Sequence, residues 1–299
     1  MVATFTVGDV VITKITELES VGDTELMLPE ATPHAVQQVS WLRPDYATDD
    51  GLLRTSIHAF ALATPTRRII ADTGLGNDKQ GRPVPAWNGM GGTFLEDLAA
   101  AGFPPETIDT VLCTHLHVDH AGWDTQLVQG KWVPTFPNAR HLFVRAEFEH
   151  AEGAAGHGAA ELFADSVAPI VEAGLVDLVA ADEQVSPEVK LVPTPGHTPG
   201  HTSILIESRG ERALITGDFI HHPVQLARPD WVSGGDHDPA RAVATRRSML
   251  SEIARTRTLL VGTHFAGPTI GHVVPDGDGS YRLEEPDAGT DPVPQPGPS

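Results

Sequence analysis

The chain has 299 residues, with forty Asp and Glu against twenty Lys and Arg, a formal charge of −20. Such a surface repels nucleic acid phosphates and anionic membranes, which weighs against a nuclease or a membrane-surface protein. A single cysteine, Cys113, rules out an intramolecular disulfide. No stretch reads as a signal peptide or reaches membrane-spanning length, so a soluble, cytoplasmic protein is expected.

In chain order, the β-branched run at residues 9–16 predicts a strand. Residues 20–50 are irregular and carry Pro29, Pro33 and Pro44. This stretch could fold over a site as a lid or form a homodimer contact, and the sequence does not choose. Strands are predicted at 56–63 and 67–71, then a helix over 93–101, closed by Gly102 and Pro104. Strands at 110–114 and 139–144 and a helix over 161–173 complete the first half. In the second half, strands near 189–193, 202–207 and 212–216 lead to a helix over roughly 239–255. Asp238 is its expected N-cap and Pro239 its first residue. Residues 259–261 form a further strand, and 271–274 an edge. From Asp276 onward glycine, proline and acidic residues dominate, which predicts a disordered tail over 276–299.

The most informative stretch is His115-Leu-His117-Val-Asp119-His120, directly after the apolar run 110–114. Three imidazoles and a carboxylate within six residues are costly to bury unless something binds them. They are the ligands that borderline metals such as zinc prefer. At a strand end, residues two apart project to the same side, so His115 and His117 can converge on one ion. After a turn, Asp119 and His120 can serve a neighbouring ion. Further candidates follow other predicted strands: His197 in Thr194-Pro-Gly-His-Thr-Pro-Gly-His201, Asp218 after residues 213–217, and His264 after 258–263. Five histidines and two aspartates suit two divalent ions if Asp218 bridges them. The set runs from residue 115 to 264, so one domain over 1–275 is expected. Strand-rich halves, each with helices, suit an α/β arrangement of two facing sheets.

Fifteen histidines make chance near-motifs inevitable. His34, His58, His141, His150, His157, His237 and His272 sit in no partner pattern and are given no metal role. His201 either supports a ligand or helps its glycine loop to fold. Cys113, within the strand before the motif, reads as an inert buried thiol.

The combination of HxHxDH, His197, Asp218 and His264, in that order over most of the chain, resembles the metallo-β-lactamase-fold superfamily of metallohydrolases. The resemblance implies a four-layer αββα sandwich. It implies that His115, His117 and His197 hold the first ion, that Asp119, His120 and His264 hold the second, and that Asp218 lies between. Asp72, in Ile69-Ile-Ala-Asp-Thr-Gly74, fits the strand-end aspartate that the family places behind the metal.

The chemistry expected of such a pair is hydrolysis by a metal-bound hydroxide, since two ions about 3.5–4 Å apart acidify a shared water. Asp119 or Asp218 would orient the nucleophile or carry a proton. No Gly-x-Ser-x-Gly elbow offers a competing nucleophile. Within the family, Asp218 and the lack of an export signal fit the β-lactamase branch poorly. The acidic carboxy-terminal region fits the glyoxalase-II-like thioesterases poorly. The branch that resembles acyl-homoserine-lactone lactonases and methyl-parathion-hydrolase-like esterases remains.

The lactonases carry a tyrosine three positions after the bridging aspartate, where this chain has His221. That departure tilts towards the methyl-parathion-hydrolase-like branch. An imidazole there could donate to the same substrate oxygen, or His221 and His222 could simply line the loop. Trp87, Met90, Trp123, Trp132, Phe136 and Trp231, in loops near strand ends, are candidate walls of an apolar pocket. Such walls without a cationic clamp suit a small neutral ester or lactone, with phosphotriesters as a further substrate. A mononuclear iron sulfur dioxygenase or a thioesterase of the same fold is the alternative, and metal analysis separates hydrolysis from the dioxygenase. Iron, manganese or cobalt would accept the same ligands as zinc.

Overall fold

The computed structural model describes residues 3–286 apart from 23, 25, 26, 155 and 157. Its first sheet contains β1 (Ala3–Val7), β2 (Val10–Val21), β3 (Arg54–Ala63), β4 (Arg68–Ala71), β5 (Thr110–Leu112), β8 (Arg140–Val144) and β9 (Val176–Val179), in that spatial order. A short hairpin of β6 (Thr125–Val128) and β7 (Lys131–Pro134) stands apart. The second sheet runs β10 (Val189–Pro193), β11 (Thr202–Ser208), β12 (Glu211–Ile215), β13 (Leu259–Val261), β14 (Ile270–Pro275) and β15 (Tyr281–Glu284). Helices are α1 (Pro33–Gln37), α2 (Phe94–Ala100), α3 (Arg145–Gly153), α4 (Ala159–Leu162), α5 (Ala168–Glu172), α6 (Val224–Ala227) and α7 (Pro239–Thr256).

Strand periodicity sorts the side chains into layers. On β3, Phe60 and Leu62 face the second sheet and meet Ile204, Ile206, Ile215 and Val261. The alternate residues Ala59 and Ala61 face outward and pack with Phe94 and Leu98 of α2 and Ala151 of α3. On the far face of the second sheet, Leu214, Leu260 and Val273 meet Leu250 and Ile253 of α7. Helix, sheet, sheet, helix is the resulting stack, as the α/β sandwich expectation requires.

Several details depart from the sequence expectations. The predicted strand at 9–16 is the core of a longer β2, and β1 pairs back onto it through the Gly8–Asp9 turn. The helix over 161–173 forms as α4 and α5 joined by a π-helical turn at 163–167. Asp238 caps α7, accepting from the Arg241 amide at 3.0 Å. The tail does not begin at 276: Asp276–Ser280 form a turn, and β15 pairs with β14 in register Val273↔Leu283. Its two apolar positions sit between charged neighbours, so composition hid the strand. The rest of that predicted tail, 287–299, lies outside the described residues. Within the stretch 20–50, Leu28, Val36, Leu42 and Tyr46 are buried against α6, α7 and Phe265. Leu28, Val36, Val39, Leu42, Tyr46 and Ala47 thus anchor this stretch to the core, while residues between them stay exposed. Among the described residues no helix is long and apolar enough to cross a membrane.

Candidate metal centre

Parallel pairing brings the ligands to one edge. β4 runs parallel to β5, and β12 parallel to β13. The chain therefore leaves these strands in one direction towards Asp72, the 115–120 hexapeptide, Asp218 and His264. The two sheets are tied together at this edge: the Ser56 amide donates to the His264 carbonyl (3.1 Å) and the Thr202 amide to the Thr114 carbonyl (2.9 Å).

All seven sequence candidates meet there. Asp218 is the hub. Its Oδ2 lies 3.8 Å from His115 Nε2, 3.4 Å from His120 Nε2 and 3.5 Å from His197 Nε2. Its Oδ1 lies 3.2 Å from His264 Nε2. Asp119 approaches His264 Nε2 at 3.6 Å and His120 Nε2 at 3.7 Å. His197 Nε2 stands 3.0 Å from His117 Nδ1. His221, the eighth candidate, reaches Asp218 Oδ2 at 3.3 Å.

The donor set fits divalent ions. Two nitrogens bound at 2.0–2.1 Å to one tetrahedral zinc stand roughly 3.3 Å apart, close to the 3.2 Å between His120 Nε2 and His264 Nε2. Four groups among the described residues have ligand atoms gathered tightly enough for an ion: His115, His117 and His197; His115, His120 and Asp218; Asp119, His120 and His264; and His197, His221 and Asp236. His115 Nε2 and Asp218 Oδ1 are buried without a hydrogen-bond partner among the described residues, the His264 contact lacking the alignment of one. Buried polar atoms of this kind call for an ion or water.

Electrostatics follow from the crowding. Burial, then the neighbouring His120 and His117, hold the His115 pKa well below its ordinary value. Burial takes His197 down to about 3, against the opposing Asp236. Burial also opposes charge on His120 and His264, but Asp218 and Asp119 outweigh it and raise both. For Asp218 burial favours the neutral acid, yet His264, His120 and His221 hold it well below the carboxylate range.

The remote ring nitrogens are held in turn, which fixes ring orientation. Thr114 Oγ1 lies 3.1 Å from His115 Nδ1, Asp72 Oδ2 3.1 Å from His120 Nδ1, Asp236 Oδ1 3.0 Å from His197 Nδ1 and the Ser56 carbonyl 3.1 Å from His264 Nδ1. Asp72 thus stands behind the ligands, as expected. His201 supports Asp218: its Nε2 accepts the Asp218 amide at 2.7 Å while its Nδ1 faces the Thr194 carbonyl at 3.0 Å. Gly217 permits this approach, because a Cβ there would lie 2.5 Å from His201 Nε2.

Sequence reasoning missed three carboxylates. Asp236 orients His197. Glu147 on α3 accepts from the Leu116 amide (3.0 Å), Thr198 Oγ1 (2.6 Å) and the Gly200 amide (3.1 Å), clamping the two loops that carry His115, His117 and His197. Glu17 on β2 accepts from the Trp123 indole at 2.7 Å. Lys14 was missed too; its Nζ donates to the Phe265 carbonyl (3.2 Å) and Thr269 Oγ1 (2.7 Å), bracing the loop after His264. None of these lies in a local motif.

Two proposed pocket walls are corrected. Trp123 stacks on Phe94 at 5.5 Å, and Phe136 is fully buried, so both are core residues. Trp132 covers the Lys79 ammonium at 3.7 Å. His222 turns away from the centre, its Nε2 against the Tyr46 carbonyl at 3.0 Å. The histidines given no metal role fall in no ligand group, His157 lying outside the described residues.

Comparison with known proteins agrees with this geometry. The family described as the metallo-beta-lactamase superfamily matches residues 53–281. An N-acyl homoserine lactonase of Bacillus sp is 31% identical over 57% of this chain and 66% of its own, so the chain spans just under two thirds of that relative. The N-acyl homoserine lactonase of Bacillus thuringiensis is 26% identical over 73% of this chain and 84% of its own. Among solved structures, the hydrolase AbOPH of the beta lactamase superfamily superposes with a TM-score of 0.75 at 26% identity, covering 95% of this chain and 97% of that one. AidC, a dizinc quorum-quenching lactonase, gives a TM-score of 0.77 at 22% identity, again over 95% and 97%, a likeness of fold. With the ligand-bearing loops inside the matched region, the chain belongs to the metallo-β-lactamase superfamily.

Proposed function

We propose that this chain is a metal-dependent hydrolase that opens small neutral lactones, with carboxylic esters and phosphotriesters as secondary substrates. The observation that carries the reading is the convergence of five imidazoles on Asp218, with Asp119 against two of them. His115, His117 and His197 would hold one divalent ion, Asp119, His120 and His264 a second, and Asp218 both, with zinc the metal best suited to the set. When bound, such ions supply a water acidified towards neutrality and polarise the scissile carbonyl. Asp119, more exposed than Asp218, is placed to orient the attacking water and pass its proton to the leaving alkoxide. Every ion pair of Asp119 and Asp218 among the described residues is with an imidazole, none with Lys or Arg. That favours a neutral substrate over a phosphomonoester. The named lactonase relatives make N-acyl homoserine lactones the first substrates to assay.

His221 acts as a hydrogen-bond donor in this reading, not as a ligand. Its Nδ1 is buried without a partner among the described residues. A proton there would be an orphan donor in the interior, costing about 1–3 kcal/mol. A proton on Nε2 instead faces the centre, 3.3 Å from Asp218 Oδ2. There it can donate to the substrate carbonyl. Replacing His221 with Ala is expected to lower turnover roughly hundredfold to thousandfold with metal content unchanged. Unchanged turnover would remove the role.

The test of the whole reading is metal quantification followed by a panel of lactones, aryl esters, thioesters and phosphotriesters. Two zinc ions per chain and lactone opening abolished by chelation are expected. One iron per chain, or full hydrolysis by verified metal-free protein, refutes it.

A further inference from the structure

Glu17 is a half-buried carboxylate with no part in the chemistry above. It occupies a bulge in β2: Thr16 pairs with His58 and Leu18 with Ile57, which leaves Glu17 nothing opposite. Three donors converge on it. Oε2 accepts from the Leu75 amide (2.6 Å), and Oε1 from the Gly76 amide (3.0 Å) and Trp123 Nε1 (2.7 Å). Burial nonetheless pushes its pKa up to about 7.

The two segments that Glu17 joins are already zipped together. The Thr73 amide donates to the His120 carbonyl (2.6 Å), the Gly122 amide to the Gly74 carbonyl (2.8 Å) and the Trp123 amide to the Thr73 carbonyl (2.9 Å). The approach has no slack, since a Cβ on Gly122 would lie 1.9 Å from the Leu75 carbonyl oxygen. At one end of this zipper Asp72 receives His120 Nδ1. At the other end stands Glu17. His120 is part of the zipper, and Asp119 directly precedes it in the chain. The loops of His117 and His197 are braced elsewhere, by Glu147 and Asp236, and Thr114 ties His115 to Asp72, at the end of the zipper away from Glu17.

We infer that Glu17 is a positioning residue for the second ion: by fixing residues 72–76 against 119–123 it sets where Asp119 and His120 present their ligand atoms. This rests on the two-ion reading above. Glu17→Gln is the informative change. Its amide nitrogen must face an N–H donor whichever way the side chain turns, while its size is unchanged.

The experiment is a zinc titration of metal-free full-length protein against a chromophoric chelator, with far-UV circular dichroism to check folding. Wild type is expected to take two ions. In Glu17→Gln the first should bind within about threefold of wild type and the second about tenfold or more weaker, the range found when supports of metal ligands are lost. Wild-type affinity for both ions, or equal weakening of both, overturns the positioning role. A wild-type chain that takes a single ion overturns the two-ion reading itself. If Glu17→Gln does not fold, Trp123→Phe carries the test, since it removes one donor and keeps the stack on Phe94. The second ion alone should then weaken about threefold or more, and an unchanged second ion overturns the inference.

Discussion

Asp218→Asn is expected to lower hydrolysis by about a thousandfold or more, with bound metal falling from two ions to one or none. The reason is the position of this carboxylate. Its oxygens lie within 3.2–3.8 Å of the Nε2 atoms of His115, His120, His197, His221 and His264. An amide keeps the shape and loses the negative charge, and it turns an NH2 group towards nitrogens whose lone pairs should face a cation. The metal-free protein gives a second readout. Burial disfavours charge on His120 and His264, and Asp218 is the leading partner that holds their pKa values up. Both should titrate lower by NMR in the metal-free variant than in the metal-free wild type. Metal binding to wild type must displace the protons these rings carry, so zinc uptake should release protons to buffer and become tighter as pH rises. Wild-type activity and two ions in Asp218→Asn would remove the bridging role.

The cluster of candidate ligands was legible because each member combines a side chain able to bind metal with a place just past an apolar run. His115 and Asp218 announce themselves in this way, even though they stand a hundred residues apart. What supports them was not legible. Glu17 sits in a strand among Thr and Glu residues and reads as a solvent-facing charge. Its three donors come from residues 75, 76 and 123, and no local pattern records that meeting. Glu147 likewise reads as the exposed acid of a short helix, yet it collects donors from residues 116, 198 and 200. Trp123 shows the converse error. Nearness in sequence to the hexapeptide suggested a pocket wall, but sequence distance does not give side-chain direction, and the indole points into the core. Residues 28–47 misled through their prolines, which break regular structure without preventing burial. Periodicity fixes layers, and chemistry fixes ligands; the carboxylates that hold ligand loops obey neither.

Those buried groups also set how the fold responds to acid. Burial keeps His141 and His201 at about 3 and His222 at about 4, and it holds His58 well below its ordinary value. Once pH falls below about 6.5, the unfolded chain takes up protons at these four positions that the folded chain refuses. Stability must then fall with pH. Glu17 and Asp124 act in the opposite sense. Burial raises each to about 7, so between their ordinary values and 7 the folded chain holds protons that the unfolded chain has released. Four histidines against two carboxylates leave about two protons in favour of the unfolded state, or roughly 3 kcal/mol lost per pH unit between about pH 6 and 5. His115 and His197, also depressed, add in the same direction. Urea midpoints at pH 8, 6 and 5 should show little change over the first step and a steep loss over the second. His141→Phe isolates one proton. The ring already packs among Phe136 and Phe143, so packing is kept, and the slope should shrink by about 1.4 kcal/mol per pH unit. Stability that holds level or rises down to pH 5 would mean that these imidazoles are not buried as neutral rings.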